Sequence, residues 1–186
     1  MSEPAVNERF LYTSVHDPLA RPLFDGLEHE YGERYRDVIA RIGGNARDEL
    51  ERYPAEAFAA PHGAFLLLLR EGRAIGGGAF MRHRDAGTTE FKRIWTDPAL
   101  RRQGIARRVL AELEAQAARQ GYARVYLTTG FRQPEAVGLY LSNGYTALFD
   151  LAADPETVVH LPFEKRLDLP VPRPVPNTEA PRAQLR

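Results

Sequence analysis

Three short segments with a strand-like pattern, the first of them purely apolar, follow one another between residues 65 and 96 and are separated by turn residues. The turns contain Gly72 and Gly87, and each segment has the length of a strand rather than of a helix. Strands joined by such short turns pair in antiparallel fashion. The chain therefore has to fold around an antiparallel sheet, with strands expected over residues 65–69, 74–81 and 90–96.

Three consecutive glycines, residues 76–78, lie inside the second of these strands. Glycine within a strand weakens its pairing and marks a bulge, or a place where another backbone or a ligand comes close. A simple bend in the strand explains the same residues equally well.

Helical patterns flank the three strands. After a first strand over residues 10–15, Asp17 and Pro18 have the composition of an N-cap and a first helical residue. A break at residues 41–45 separates this helix from a second helical stretch over residues 46–58. The apolar face of the first helix is predicted to carry Leu19, Leu23, Phe24, Leu27 and Tyr31.

The remainder of the chain alternates between helical and strand-like hydrophobic patterns. We expect a helix over residues 104–120 that ends at Gly121, a strand over 125–129, and a short helix that opens at Pro134. In that helix Val137, Tyr140 and Leu141 are predicted to share a face. Final strands are expected over residues 145–151 and 158–165, with Pro162 marking an edge or a bulge. The element order predicts an α/β (α+β) fold with a mixed sheet and helices on its faces.

Length and charge narrow the functional classes. A chain of 186 residues with 44% hydrophobic composition fits one domain, expected over residues 1–167, and proline-rich residues 168–186 are predicted to be a disordered tail. The 25 basic residues balance 25 acidic ones, which argues against nucleic acid or a membrane surface as partner. The absence of cysteine excludes disulfides and thiolate chemistry. No signal peptide or spanning segment is recognisable, so a cytoplasmic location is expected.

Residues 94–107 run from a strand through a tight basic loop into a helix that begins with small residues. Free N–H groups at a helix start, together with the helix dipole, bind anions, and Gly104 and Ala106 leave room for a phosphate. A basic turn that merely caps a helix explains the segment equally well. The chain has neither the Gly-Lys-Ser/Thr ending of a P-loop nor a dinucleotide fingerprint.

This loop resembles the signature of the GNAT family of N-acetyltransferases: Arg or Gln, two variable residues, Gly, one variable residue, then Gly or Ala. Here it is Arg101-Arg102-Gln103-Gly104-Ile105-Ala106. Residues 90–96 look like the family's central strand, and residues 133–145 look like its second cofactor-side motif. The resemblance implies a six- to seven-stranded, mostly antiparallel sheet with helices on both faces. It also implies acetyl-CoA as cosubstrate and transfer of the acetyl group to an amine by direct attack.

The resemblance assigns roles to individual residues. The pantetheine arm would pair with the central strand at Ile94, Trp95 and Thr96, which would also present an N–H to the thioester oxygen. Gln133 stands where the family commonly has an asparagine on the cofactor arm. The pyrophosphate would be held by the loop residues Arg101, Arg102, Gln103, Gly104, Ile105, Ala106 and Arg107.

Two residues are candidates for proton transfer. Tyr140 stands where the family often has the tyrosine that protonates the CoA sulfur, and it would also contact the cofactor. A core tyrosine whose hydroxyl is satisfied elsewhere explains its helical position as well. Glu90 could take the proton of the amine, directly or through a water. It could equally be a surface strand-end carboxylate paired with Lys92 or Arg93.

The acceptor side carries no motif. The five histidines show no metal-binding spacing, so no metal is expected, and His62 and His83 are predicted to be exposed. The acidic residues of the first helix could attract a cationic amine or simply form a solvated face. We expect an active enzyme that acts on a small primary amine. A non-catalytic acyl-CoA-binding or sensing module and a general nucleotide-phosphate binder remain alternatives, and pairing of an exposed strand could make a homodimer.

Overall fold

The computed structural model describes residues 7–168, which form a seven-stranded sheet with helices on both faces. The strands are β1 Glu8–Tyr12, β2 Ala64–Arg70, β3 Arg73–Arg82, β4 Thr88–Thr96, β5 Arg124–Gly130, β6 Thr146–Ala147 and β7 His160–Arg166. The helices are α1 Arg21–Arg34, α2 Arg36–Ile42, α3 Ala46–Glu51, α4 Ile105–Arg119, α5 Pro134–Ser142 and α6 Pro155–Val158. The strand order in this part of the chain is β1-β2-β3-β4-β5-β7-β6, and all neighbours are antiparallel except β4 with β5. The expected mixed, mostly antiparallel sheet is confirmed.

Strand β2 lies between two apolar layers. Leu66 and Leu68 belong to the cluster that contains the buried face of α4, whereas Phe65 and Leu67 belong to the cluster that contains α1. All four side chains are fully buried or nearly so. Because both faces of the strand are covered, its sequence is a continuous apolar run without polar alternation.

Two of the three glycines in β3, Gly76 and Gly78, lie under α4, whereas a Cβ atom on Gly77 would approach Leu23 Cδ1 of α1 to 2.8 Å. A Cβ atom on Gly76 would approach Ile105 Cγ2 to 2.5 Å, and one on Gly78 would approach Leu113 Cδ1 to 2.9 Å. The register of β3 against β4 also shifts between Gly77 and Ala79. The expected bulge is therefore confirmed, but the groups that approach Gly76 and Gly78 most closely are side chains, where another backbone or a ligand was expected. This contact allows the helix to sit directly on the sheet.

The N-terminal elements differ from expectation in their boundaries. Strand β1 ends before a turn in which Asp17 N–H donates to Ser14 O at 3.0 Å, so it does not reach residue 15. Asp17 is the expected N-cap and accepts from Leu19 N at 2.8 Å. It opens a 3₁₀ turn that precedes α1 and leaves Leu19 exposed. The single helix expected over residues 46–58 is wrong, because Pro54 interrupts it and only a 3₁₀ turn follows.

The C-terminal elements also differ from expectation in their boundaries. Only two residues of the strand expected over residues 145–151 pair with β7. The last strand starts at His160 rather than at residue 158, because Asp154 and Pro155 cap the short helix α6. Leu141 is exposed, since it lies one residue, or about 100°, round the helix from buried Tyr140.

Two further expectations concern the ends of the chain and the membrane. The proline-rich tail predicted for residues 168–186 lies outside the described residues except for Asp168. Within residues 7–168 there is no helix of sufficient length and apolar character to cross a membrane.

Candidate active site

A cavity of about 490 Å³ opens where β4 and β5 separate, and residues of α1, α4 and α5 complete its wall. Eleven of the residues that sequence analysis assigned to the cofactor or to catalysis line it. They are Ile94, Trp95, Thr96, Arg101, Arg102, Gly104, Ile105, Ala106, Arg107, Gln133 and Tyr140. Gln103, which is exposed in the loop, and Glu90 do not line it. The fold thus brings together segments more than 30 residues apart around one space.

The cavity exists because β4 and β5 pair over only part of their length. Their parallel register covers Thr88 to Phe91 on β4, and β5 then continues in register with β7 alone. Beyond that point β4 carries one extra residue relative to β3, since Lys92 pairs with Ala79 and Trp95 with Gly77. The backbone of residues 94–96 on the β5 side is therefore an internal strand edge, to which an extended chain could add.

Hydrogen bonds fix the start of the loop between β4 and α4, whereas the end of the loop borders open space. Asp97 N–H donates to Ile75 O at 2.9 Å, and its carboxylate accepts from Ala99 N at 3.0 Å and from Arg73 at 2.9 Å. Arg102 and Gly104 then adopt positive φ angles of 64° and 75° and turn the chain into α4. A Cβ atom on Gly104 would meet no atom within 4 Å. The first-turn N–H groups of α4, which have no intrahelical partner, thus lie beside open space.

The arginines of this loop differ in whether they already form ion pairs. Arg101 forms an ion pair with Glu30 of α1 at 3.0 Å, and Glu30 also contacts Arg34 at 2.8 Å. Arg102 and Arg107 are exposed and form no ion pair with any residue in the described part of the chain. Two arginines can therefore turn towards a phosphate without first breaking a salt bridge.

Tyr140 has a buried ring and a cavity-lining position at the same time. Its ring centroid lies 5.4 Å from that of Phe163 and 5.6 Å from that of Tyr145. Its hydroxyl has no hydrogen-bond partner among residues 7–168, and burial raises the pKa of the phenol above its usual value of 10.0. The core position and a chemical role are therefore compatible, because the ring packs while the hydroxyl remains available.

Gln133 and two threonines provide polar groups on the walls. The Gln133 Oε1 accepts a hydrogen bond from the Thr129 hydroxyl, and both residues line the cavity. The Thr96 Oγ1 is buried without a hydrogen-bond partner in the described structure. A buried hydroxyl with no partner is uncommon in proteins. These groups can bind the amides of an extended ligand, and Thr129 was not identified from sequence.

Glu90 forms the ion pair with Lys92 that its alternative role predicted, but it lies within β4 and not at the surface. Its Oε1 lies 2.9 Å from Lys92 Nζ, and both side chains are largely buried. The Lys92 ammonium also lies 4.7 Å from the centroid of the Tyr53 ring. Lys92 lines the cavity although Glu90 does not. The carboxylate can thus reach the cavity only through its partner or a water.

Helix α1 contributes three residues that were not assigned to the site from sequence. Leu27, Glu30 and Tyr31 line the cavity, and Leu27 and Tyr31 had been recognised only as part of the apolar face of the helix. Burial raises the pKa of the Tyr31 phenol. The helical period could place Tyr31 on the inner face, but nothing local indicates that this face covers the gap between β4 and β5.

The histidines contribute no metal site in the described residues, where no group of three or more potential ligands is found. His62 is exposed as expected. The expectation for His83 is wrong: its side chain is only 11% exposed. It packs against the Tyr126 ring at 4.9 Å and accepts a hydrogen bond from Asp85 N–H at 3.1 Å.

Comparison with known proteins gives concordant results. The model of the acetyltransferase (GNAT) family matches residues 24–145. A protein named IAA acetyltransferase from Azospirillum brasilense is 32% identical over 111 residues, which cover 53% of this chain and 72% of that protein. An uncharacterized N-acetyltransferase, YjgM, of Escherichia coli K12 is 27% identical over 92 residues, covering 48% of this chain and 55% of its own length.

Solved structures share the fold. An acyl-CoA N-acyltransferase structure from Klebsiella pneumoniae has a TM-score of 0.62 at 24% identity, covering 87% of this chain and 98% of its own. The PaiA N-acetyltransferase of Thermoplasma acidophilum, solved in complex with coenzyme A, has a TM-score of 0.62 at 18% identity, covering 86% and 99%. At these identities the likeness establishes the architecture alone.

Proposed function

This chain belongs to the acetyltransferase (GNAT) family of acyltransferases, and on that premise we propose that it transfers an acetyl group from acetyl-CoA to a small primary amine. The observation that carries the proposal is the composition of one cavity. It is lined by an internal strand edge, by the open first turn of α4 and by Tyr140. We further propose that residues 1–167 act as a single acyltransferase domain.

The residues present fit acetyl-CoA. In the proposed complex the pyrophosphate lies against the first-turn N–H groups of α4, where the absence of a side chain on Gly104 leaves room. Arg102 and Arg107 add charge-assisted hydrogen bonds, and Arg101 joins them if it leaves Glu30. Gln103 would contribute its backbone, since its side chain does not line the cavity.

The pantetheine arm in this proposal adds to β4 along Ile94, Trp95 and Thr96. Amide groups in an extended arm match the spacing of the free edge, and the Thr96 hydroxyl, which has no partner in the described structure, and the Gln133 amide both line the cavity. A backbone N–H of this segment would donate to the thioester oxygen as negative charge develops there.

The acetyl transfer proceeds by direct attack of the amine nitrogen on the thioester carbon. A C–N bond forms, the C–S bond breaks, and the departing thiolate takes a proton from Tyr140. The nitrogen loses its second proton as the amide forms, and that proton returns Tyr140 to the phenol. With a pKa above its usual value of 10.0, the Tyr140 phenol is protonated at neutral pH, which is the state that a general acid requires. Glu90, acting through a water beside Lys92, accepts the proton that the ammonium must lose.

The first test is calorimetric titration with acetyl-CoA, CoA, ATP and NAD, followed by an amine screen. We expect selective binding of the CoA compounds and loss of that binding in Gly104→Glu. The matched control is Gly72→Glu, because Gly72 also has a positive φ of 78° and open space around it, but lies in the β2–β3 turn. Equal binding of ATP and NAD, or equal losses in both variants, would overturn the proposal.

A further inference from the structure

Arg93 lies between the cavity described above and a second cavity of about 690 Å³, and it lines both. The second cavity lies on the side of the sheet covered by α1 and α3. Its apolar wall includes Phe24 and Tyr53. A ligand in the second cavity can therefore approach β4 next to the proposed position of the thioester.

The backbone at Arg93 adopts an unusual conformation for an arginine. Its φ angle is +60°, at the extra residue that β4 carries relative to β3. For a residue with a Cβ atom this conformation is strained by about 1 kcal/mol. The bulge directs the side chain into the second apolar layer, where the guanidinium carbon lies 5.2 Å from the Phe24 ring and 4.2 Å from the Phe58 ring.

The guanidinium group of Arg93 has few polar partners, although it lies within an apolar layer. It donates one hydrogen bond to Leu50 O, although a guanidinium has five N–H donors. Within the described residues no carboxylate lies within 4.0 Å of it. Glu49 acts on it only at longer range and lies 3.6 Å from Arg52. Burial lowers the pKa of Arg93, as expected for a positive charge that lacks an adjacent negative one.

The other arginines of the second cavity are already paired. Arg47 contacts Glu28 at 2.7 Å and Glu51 at 3.5 Å, and Arg21 lies 3.5 Å from Asp25. Buried charges in proteins are normally paired, so an unpaired one is a candidate for ligand binding or chemistry. Arg93 is thus the cationic group in this cavity with free donors and no anionic partner among residues 7–168.

We propose that Arg93 binds the carboxylate of the acceptor, so that the substrate class is an amine that also carries a carboxylate, with its apolar part against Phe24 and Tyr53. The proposal rests on the proposed function and narrows the class of acceptor substrate. A guanidinium holds a carboxylate through two parallel hydrogen bonds, which fixes orientation as well as position. Arg93 directly precedes Ile94, so an amine close to the bound carboxylate lies beside the strand edge that would hold the thioester.

The competing explanation is structural. Stacking on Phe24 and Phe58 and the bond to Leu50 O could account for the buried guanidinium without any ligand. That role predicts loss of stability when Arg93 is replaced, but no discrimination between a carboxylate and a neutral ligand of the same shape. The test therefore measures discrimination rather than stability.

Binding is measured through Trp95, the single tryptophan of the chain, which lines the first cavity two residues from Arg93. The probes are 3-phenylpropanoate and its neutral amide, titrated against the full chain with CoA present. We expect the carboxylate to bind on the order of tenfold more tightly, as for a charge-assisted hydrogen-bond pair. In Arg93→Gln and Arg93→Lys this preference should be lost or reduced.

The matched control is Arg21→Gln, which removes a paired arginine at the rim of the same cavity, 83% exposed. It should keep the preference. No preference in the wild type, or the same loss in Arg21→Gln, would overturn the proposal, since general charge attraction would then explain the binding. Arg93→Lys keeps the test valid if Arg93→Gln does not fold.

Turnover separates this inference from the function on which it rests. Phenylalanine and phenethylamine, which differ in the carboxylate, are compared by kcat/KM with acetyl-CoA. A preference for phenylalanine that narrows in Arg93→Lys supports the inference. Acetylation of both without preference overturns the inference and leaves the proposed function standing, whereas absence of transfer to any amine of either kind counts against the function itself.

Discussion

Glu30 of α1 forms an ion pair with Arg101 of the β4–α4 loop, with 3.0 Å between the carboxylate oxygen and the guanidinium nitrogen. The two residues are 71 positions apart in sequence. The pair places a negative charge beside the proposed pyrophosphate site and occupies one of its three arginines. Helix α1 is thereby linked to the loop that would hold the cofactor.

We predict that Glu30→Gln tightens acetyl-CoA binding by about two- to fivefold, because an ion pair at a partly exposed site is worth ~0.5–1 kcal/mol. The effect should shrink at high salt. Calorimetry at two ionic strengths measures it, with Glu33→Gln as control, since Glu33 pairs with exposed Arg36 outside the cavity. Weaker binding in Glu30→Gln would mean that Glu30 holds Arg101 in its working position.

We predict that Tyr140→Phe lowers kcat by roughly 10²- to 10⁴-fold, the usual contribution of general acid catalysis. Acetyl-CoA affinity and stability should change little, because the hydroxyl has no partner among the described residues. The control is Tyr145→Phe, whose ring is adjacent but whose hydroxyl donates to Glu114 at 2.9 Å. That variant should lose stability and keep turnover. Unchanged turnover in Tyr140→Phe would exclude the phenol as the acid.

We predict that Glu90→Gln lowers kcat. The reason is that only the ionised carboxylate can accept a proton from the amine, and the amide cannot. Glu164→Gln is the control, because Glu164 pairs with Arg124 on β5 and does not line the cavity. An unchanged kcat in Glu90→Gln would assign proton removal to water alone.

We predict a pH-dependent contribution of Asp37 to stability. Hydrogen bonds from Arg132 lower the Asp37 pKa from 3.8 to about 2 in the folded protein. Since the folded state binds the proton less tightly than the unfolded state, this stabilisation is present above pH 3.8 and is lost as the pH falls to about 2. Thermal unfolding of the wild type and Asp37→Asn should differ at pH 5 and converge near pH 2. A constant difference across this range would show that the charge of Asp37 is not responsible.

We predict that Gly76→Ala destabilises the fold by about 1–3 kcal/mol, the usual effect of overpacking a core. The new methyl group would lie 2.5 Å from Ile105 Cγ2, on a β-branched side chain that cannot easily rotate away. In Gly32→Ala, where nothing lies within 4 Å, helix propensity should stabilise the protein by about 0.5–1 kcal/mol. Denaturant unfolding of both variants tests the pair, and a neutral Gly76→Ala would mean that α4 can shift on the sheet.

Much of the fold was determined by local sequence. Turn residues such as Gly72 and Gly121 and the cap residue Asp17 act within a few positions of themselves, so the order of the strands and of most helices could be derived before any contact was known. The division of the first helix into α1 and α2 and the short helix α6 were not predicted. The strand–loop–helix segment at residues 94–107 predicted an anion site for the same reason, since backbone geometry and helix polarity are local properties. The predicted element boundaries were wrong where a proline gave a competing local signal, as at Pro54 and Pro155.

The tertiary structure decided what surrounds that loop. The separation of β4 from β5, the left-handed backbone of Arg93 and the contact of Glu30 with Arg101 all depend on segments that meet only after the sheet has formed. Sequence patterns report which face of an element is buried, because burial depends on period, but they do not report what covers that face. The loop and its helix could therefore be identified from sequence alone, whereas the two cavities and the position of the Arg93 guanidinium between them arise from packing.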